Sequence, residues 1–233
     1  MIRKGEKMDA KDVVRKMKSL SSREVRESNE RFAILGNNML GVRAPDIRAL
    51  AKDIGKDHLL AIELWKTGMH EARILATMID HPDHVTEEQM DSWIKDFDSW
   101  DICDHACGNL FDKTMFAYRK AVEWTTRERE YEKRAGFALI AYLAVHNKKA
   151  DDRRFLKFLP IIKREAADDR NFVKKAVNWA LREIGKRNLT LNKASIEAAH
   201  EIKQMKGAGK WIAGDALREL QSDAVQKRVK AKS

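Results

Sequence analysis

The chain has 233 residues, 43% hydrophobic and 35% charged, a composition that excludes a largely disordered polypeptide. Eleven Gly, three Pro and two Cys are too few for the turns of an all-β barrel or for a disulfide scaffold. A formal net charge of +10 calls for an anionic partner.

Period-3.6 patterning recurs along almost the whole chain, and no convincing alternating strand is found. Residues 1–8 and the basic tail 226–233 read as frayed termini. Met1 to Lys7 contains no apolar h-region, so no secretory signal is expected. Ser21-Ser22 precede a helix that carries Phe32 and Leu35, and Gly36-Asn37-Asn38 break it. Gly41 to Asp46 form a loop into a helix that starts around Pro45 and ends near Ile54. Further helices follow at Leu59–Trp65 and Glu71–Ile79, the latter stopped by His81-Pro82. Thr86 and Gln89 form a capping box for Glu87–Phe97. Ser99 is the expected N-cap of a helix opening at Trp100. The remaining helices are placed near 113–125, 127–146, 152–166, 170–186, 192–206 and 210–221.

Many helices of ten to twenty residues with short connections describe an all-α chain. An α-solenoid of HEAT-like helix pairs accommodates them better than one compact bundle, and gives a concave face for a long ligand. No linker divides the sequence, so residues 1–233 are read as one domain. No apolar run approaches a membrane span, and no membrane partner is expected. Two cysteines four apart fit a reducing, cytoplasmic compartment.

Two segments concentrate the candidate chemistry. In the first, Asp98 to Cys107, Trp100 and Asp104 stand four apart on one helix face, with Asp101 and His105 on the adjacent face. In the second, Phe172 to Lys186, an apolar stripe runs through Val173, Val177 and Ile184. Lys175, Trp179, Arg182 and Lys186 line one flank at spacings of 4, 3 and 4. An aromatic framed by cations suits a surface that tracks phosphates. Arg134 opens a long, otherwise apolar helix. Each feature also has a plain reading: core tryptophans, a carboxylate favoured by a helix dipole, and a solvated basic flank. His105 with Cys103, Cys107 and Asp101 raises a metal site, but neighbours on one helix cannot all converge on one ion, and no metal is assigned. The two thiols lie in an apolar setting that favours inert core cysteines. No GxSxG, Walker A or Rossmann glycine pattern occurs.

The segments Ser99-Trp100-Asp101-Ile102-Cys103-Asp104 and Lys175 to Glu183, with Leu35-Gly36 and Gly41 to Arg48, resemble the AlkD-like DNA alkylation repair glycosylases. The resemblance spans about residues 30 to 220. It implies a HEAT-like solenoid whose concave basic face holds duplex DNA, and excision of cationic N3- or N7-alkylated purines without a cofactor or a base-flipping pocket. Trp100, Asp104 and Trp179 match the family's catalytic positions, and Arg134 and Arg182 its DNA-contacting arginines. Arg43, Lys175 and Lys186 would add phosphate contacts. Two positions depart from the family pattern. Ser99 replaces a tryptophan, and Tyr142 stands where a basic residue is expected. The expected partner is double-stranded DNA carrying alkylated purines, with no obligate protein partner and, in a prokaryote, a nucleoid location. The competing readings are a non-catalytic binder of damaged or branched DNA and a protein-binding solenoid scaffold.

Overall fold

The structure, a computed structural model, describes residues 8–34 and 38–231. Among the described residues every regular element is helical, and the chain groups into two compact units, residues 1–114 and 115–233. No helix among them is long and apolar enough to cross a membrane.

The described residues of the first unit form α1 (Ala10–Ser19), α2 (Arg23–Arg31), α3 (Ala44–Ile54), α4 (His58–Lys66), α5 (His70–Ile79), α6 (Glu87–Trp93) and α7 (Trp100–Asn109). Side-chain caps account for several starts. Asp9, Ser22, Asp57 and Thr86 accept hydrogen bonds from Asp12 N, Val25 N, Leu60 N and Gln89 N, so the capping box before α6 operates at its Thr end. The sequence reading misses α1, whose only buried residues are Val13 and Met17. A stripe that narrow is easily mistaken for a polar segment. It also extends α2 too far. That helix stops at Arg31, and Phe32 is 68% exposed beyond it. Leu35, Gly36 and Asn37 lie outside the described residues. The reading of 87–97 as one helix is shortened to α6, followed by a 3₁₀ turn at 94–96.

Helix α5 is the hub of this unit. It packs against α3, α4 and α7, and Ala72, Ile74, Leu75, Ala76, Thr77 and Ile79 are all buried. A helix apolar on nearly every side is stable only when surrounded. Beside it Trp65 and Trp93 stack with centroids 3.9 Å apart, and Trp65 Nε1 donates to Asp96 at 2.9 Å.

The second unit holds α8 (Ala117–Trp124), α9 (Glu130–His146), α10 (Asp152–Leu156), α11 (Leu159–Glu165), α12 (Asn171–Gly185), α13 (Leu189–Ile202), α14 (Gly209–Leu220) and α15 (Asp223–Lys230). Helices α9 and α12 form its central pair, flanked by α8 on one side and by α13 and α14 on the other. Gly136 sets the approach of α8 and α9. A Cβ there would sit 2.6 Å from Thr125 N and 3.0 Å from Ala121 O. The span 152–166 is two short helices rather than one, because Pro160 has no N–H for the ladder. Helix α13 begins three residues before the expected start, where Asn188 caps Leu191 N at 3.0 Å. The tail expected to fray from Gln226 is instead helical to Lys230. Val225 and Val229 are buried, and Gln226 donates to Asn192 on α13 at 2.9 Å.

Candidate nucleic-acid interface

In the first unit the candidate residues gather at the start of α7. Ser99 occupies the N-cap position, but its hydroxyl does not cap the helix. It donates instead to Asp101 Oδ1 at 2.7 Å, which corrects the capping role read from the sequence. The other oxygen of Asp101 accepts from His70 Nε2 at 2.8 Å. His70 and Asp101 are 3% and 8% exposed. Burial opposes both charges, yet the bond between them prevails: it raises the His70 pKa and lowers that of Asp101. The buried Nδ1 of His70 has no hydrogen-bond partner, so when the ring is neutral its proton sits on Nε2, toward Asp101.

The next residue, Glu71, is also buried. Its carboxylate accepts from the backbone N–H groups of Leu40, Gly41 and Val42 at 2.9, 2.6 and 3.1 Å. Gly41, at φ +79°, lets the same segment pass close to the start of α2, since a Cβ there would run into Ser22 O. The first turn of α5 thus holds two neighbours: His70 grips α7, and Glu71 grips the segment leading to Arg43.

With Asp101 turned inward, Trp100 and Asp104 lie half-buried on the outer flank of α7. Trp100 Nε1 donates to the Phe32 carbonyl at 3.0 Å, which fixes the ring. His105 is drawn toward α5 as well. Its Nδ1 lies 3.2 Å from Asn109 Nδ2, Asn109 in turn donates to Thr77, and burial lowers the imidazole pKa. Cys103 and Cys107 form no disulfide and are fully buried, and burial pushes the Cys107 thiol well above its usual range. Both are core thiols. Arg43 is exposed and pairs along its own helix with Asp46 at 2.9 Å.

In the second unit the flank of α12 is graded. Lys175 is exposed, with Nζ 5.9 Å from the Phe172 ring centre. Trp179 is half-buried, and Tyr142 of α9 meets it edge to face at 5.0 Å. The departure noted at position 142 therefore supplies an aromatic neighbour to Trp179. Arg182 and Lys186 face α14. Arg182 Nη1 pairs with Glu219 at 2.5 Å, and Lys186 with Glu219 at 2.8 Å and Glu183 at 2.6 Å. Glu219 is held below the usual carboxylate range: burial pushes its pKa up, and the two cations more than offset this.

Arg134 is placed otherwise than the sequence reading expects. It is 6% exposed, and Nη1 donates to Phe172 O at 2.8 Å, so it straps α9 to α12. Its placement leaves little residue surface exposed beside the role of phosphate contact that the resemblance implies. The sequence reading in turn misses His70, Glu71 and Glu219. Each acts on a partner at least 29 positions away, and no local pattern marks such a pairing.

Helices packed against one another throughout each unit, with no strand among the described residues, define the class of all-α, HEAT-like repeat proteins. Residues 13–220 match the family described as "DNA alkylation repair enzyme", and the chain belongs to that family. A comparison with curated proteins gives no match. Among solved structures, one member of "a new family of proteins related to the HEAT-like repeat DNA glycosylases with affinity for branched DNA structures" is similar in fold. Its TM-score is 0.76 at 20% identity, over 91% of this chain and 95% of that one.

Proposed function

We propose that the protein is a monofunctional DNA glycosylase that excises cationic N3- and N7-alkylated purines from duplex DNA. The observation that carries this reading is the split on α7. Asp101 is engaged inward by His70 and Ser99, while Asp104 and Trp100 stand half-buried one turn apart on the outer flank. Alkylation at N3 or N7 leaves the base positively charged, so it departs without being protonated. What the protein must supply is stabilisation of the cationic sugar as the glycosidic bond lengthens. A fixed carboxylate does this by charge and can orient the attacking water, the role proposed for Asp104. Trp100, with its N–H committed to Phe32, offers an electron-rich ring face to that cation. Trp179, half-buried on α12 of the second unit, is assigned an aromatic contact with the DNA. Arg43 and Lys175, both exposed, would hold phosphates and fix the register.

The test is release of 7-methylguanine from methylated duplex DNA. The wild type should release it, and Asp104→Asn should lose this activity while keeping its fold. A second reading, a non-catalytic DNA binder, is favoured by the branched-DNA affinity of the structural neighbour's family. DNA binding by the wild type with no base release would select it.

A further inference from the structure

The two cations of the α12 flank that face α14 are already occupied. Glu219 presents one oxygen to each: Oε2 to Arg182 Nη1 and Oε1 to Lys186 Nζ, at 2.5 and 2.8 Å. A phosphodiester offers the same arrangement, two anionic oxygens on one centre, each able to accept from a separate cation. We propose that Arg182 and Lys186 form a phosphodiester subsite and that Glu219 is its internal occupant, which backbone phosphate must displace. The inference rests on the DNA-binding part of the function proposed above.

The surroundings support it. Three cations, Arg182, Lys186 and Arg218, meet three carboxylates, Glu183, Asp215 and Glu219, so the cluster is neutral in the free protein. Asp215 is otherwise engaged. It accepts from Asn178 at 2.7 Å and pairs with Arg218, and it lies 3.7 Å from Arg182. Glu183 sits one turn below Lys186 on the same helix. Glu219 alone bridges both cations, and it comes from another helix. Its side chain is 30% exposed, so it can swing toward solvent without unpacking a core residue. The consequence is selectivity: a phosphate gains this subsite only by outcompeting a carboxylate that is always present. Weak encounters with ordinary duplex are thereby penalised more than a well-seated complex.

The experiment measures binding of a labelled, undamaged duplex by fluorescence anisotropy across a salt series. Wild type, Glu219→Gln, Glu219→Ala and Glu219→Gln combined with Arg182→Ala are compared, with circular dichroism to verify folding. Each phosphate contact that becomes available steepens the log–log salt slope by about 0.9. Both single variants should therefore bind roughly threefold tighter or more near physiological salt, with a steeper slope, and the double variant should lose the gain. Folded Glu219 variants whose affinity and slope equal the wild type, or whose binding weakens, overturn the inference, as does failure of all four proteins to bind. Base release is scored in parallel. Tighter binding by Glu219→Gln with no release by any form leaves the subsite standing and removes only the glycosylase reading.

Discussion

Replacing His70 by alanine tests how the start of α7 is held. The substitution removes the Nε2 donor from Asp101, which is 8% exposed and keeps the Ser99 hydroxyl as a side-chain donor among the described residues. Breaking one side of a buried charge-assisted pair costs about 3–5 kcal/mol, and the surviving Ser99 bond places this case near the lower end. At about 2–4 °C per kcal/mol for a chain of this size, 3 kcal/mol corresponds to a fall of roughly 6–12 °C in melting temperature. The pH dependence carries a sign. His70 has a raised pKa in the folded protein, so its contribution is complete below its unfolded pKa of about 6.5. That contribution fades as pH rises through the folded value, so the gap between wild type and His70→Ala should narrow toward alkaline pH. Asp101, with a lowered pKa, contributes above about 3.9, and that part is lost as pH falls through its folded value. Denaturant melts at several pH values, with Asp101→Ala and the double variant, complete the cycle. The double variant should cost about 0.5–3 kcal/mol less than the two single variants together. Additive losses, or a His70→Ala effect below about 1 kcal/mol with no pH trend, would refute the reasoning.

Other outcomes follow from single contacts. Asp104→Asn should lower base release about 10²- to 10³-fold, the scale of removing one preorganised electrostatic group, with a melting temperature close to the wild type. Arg134→Ala should cost about 1.5–3 kcal/mol, since it removes a charged donor from the Phe172 carbonyl, yet leave the salt slope of DNA binding unchanged. Lys175→Ala should do the reverse, flattening that slope by about 0.9 at little cost in stability. Gly136→Ala should destabilise by about 1–3 kcal/mol in thermal melts, because the new methyl meets backbone atoms of α8 that cannot move aside.

The periodicity of apolar residues was enough to establish an all-α chain and most helix positions. A helix buries whichever face its 3.6 period assigns, and that face is written locally. The same locality put Trp100 with Asp104, and Trp179 with Arg182, on common flanks, and the motif pattern led to the correct family. Tertiary structure decided what each polar side chain is committed to. Ser99 serves Asp101 rather than the helix end, Arg134 a carbonyl on α12, Arg182 and Lys186 a carboxylate on α14. It also decided that α1 and α15 are helices, since each rests on two buried residues whose burial depends on distant partners. Hydrogen bonds and ion pairs act over about 3 Å of space whatever the separation along the chain. Composition and spacing therefore assign a residue to a face, and only packing assigns it a partner.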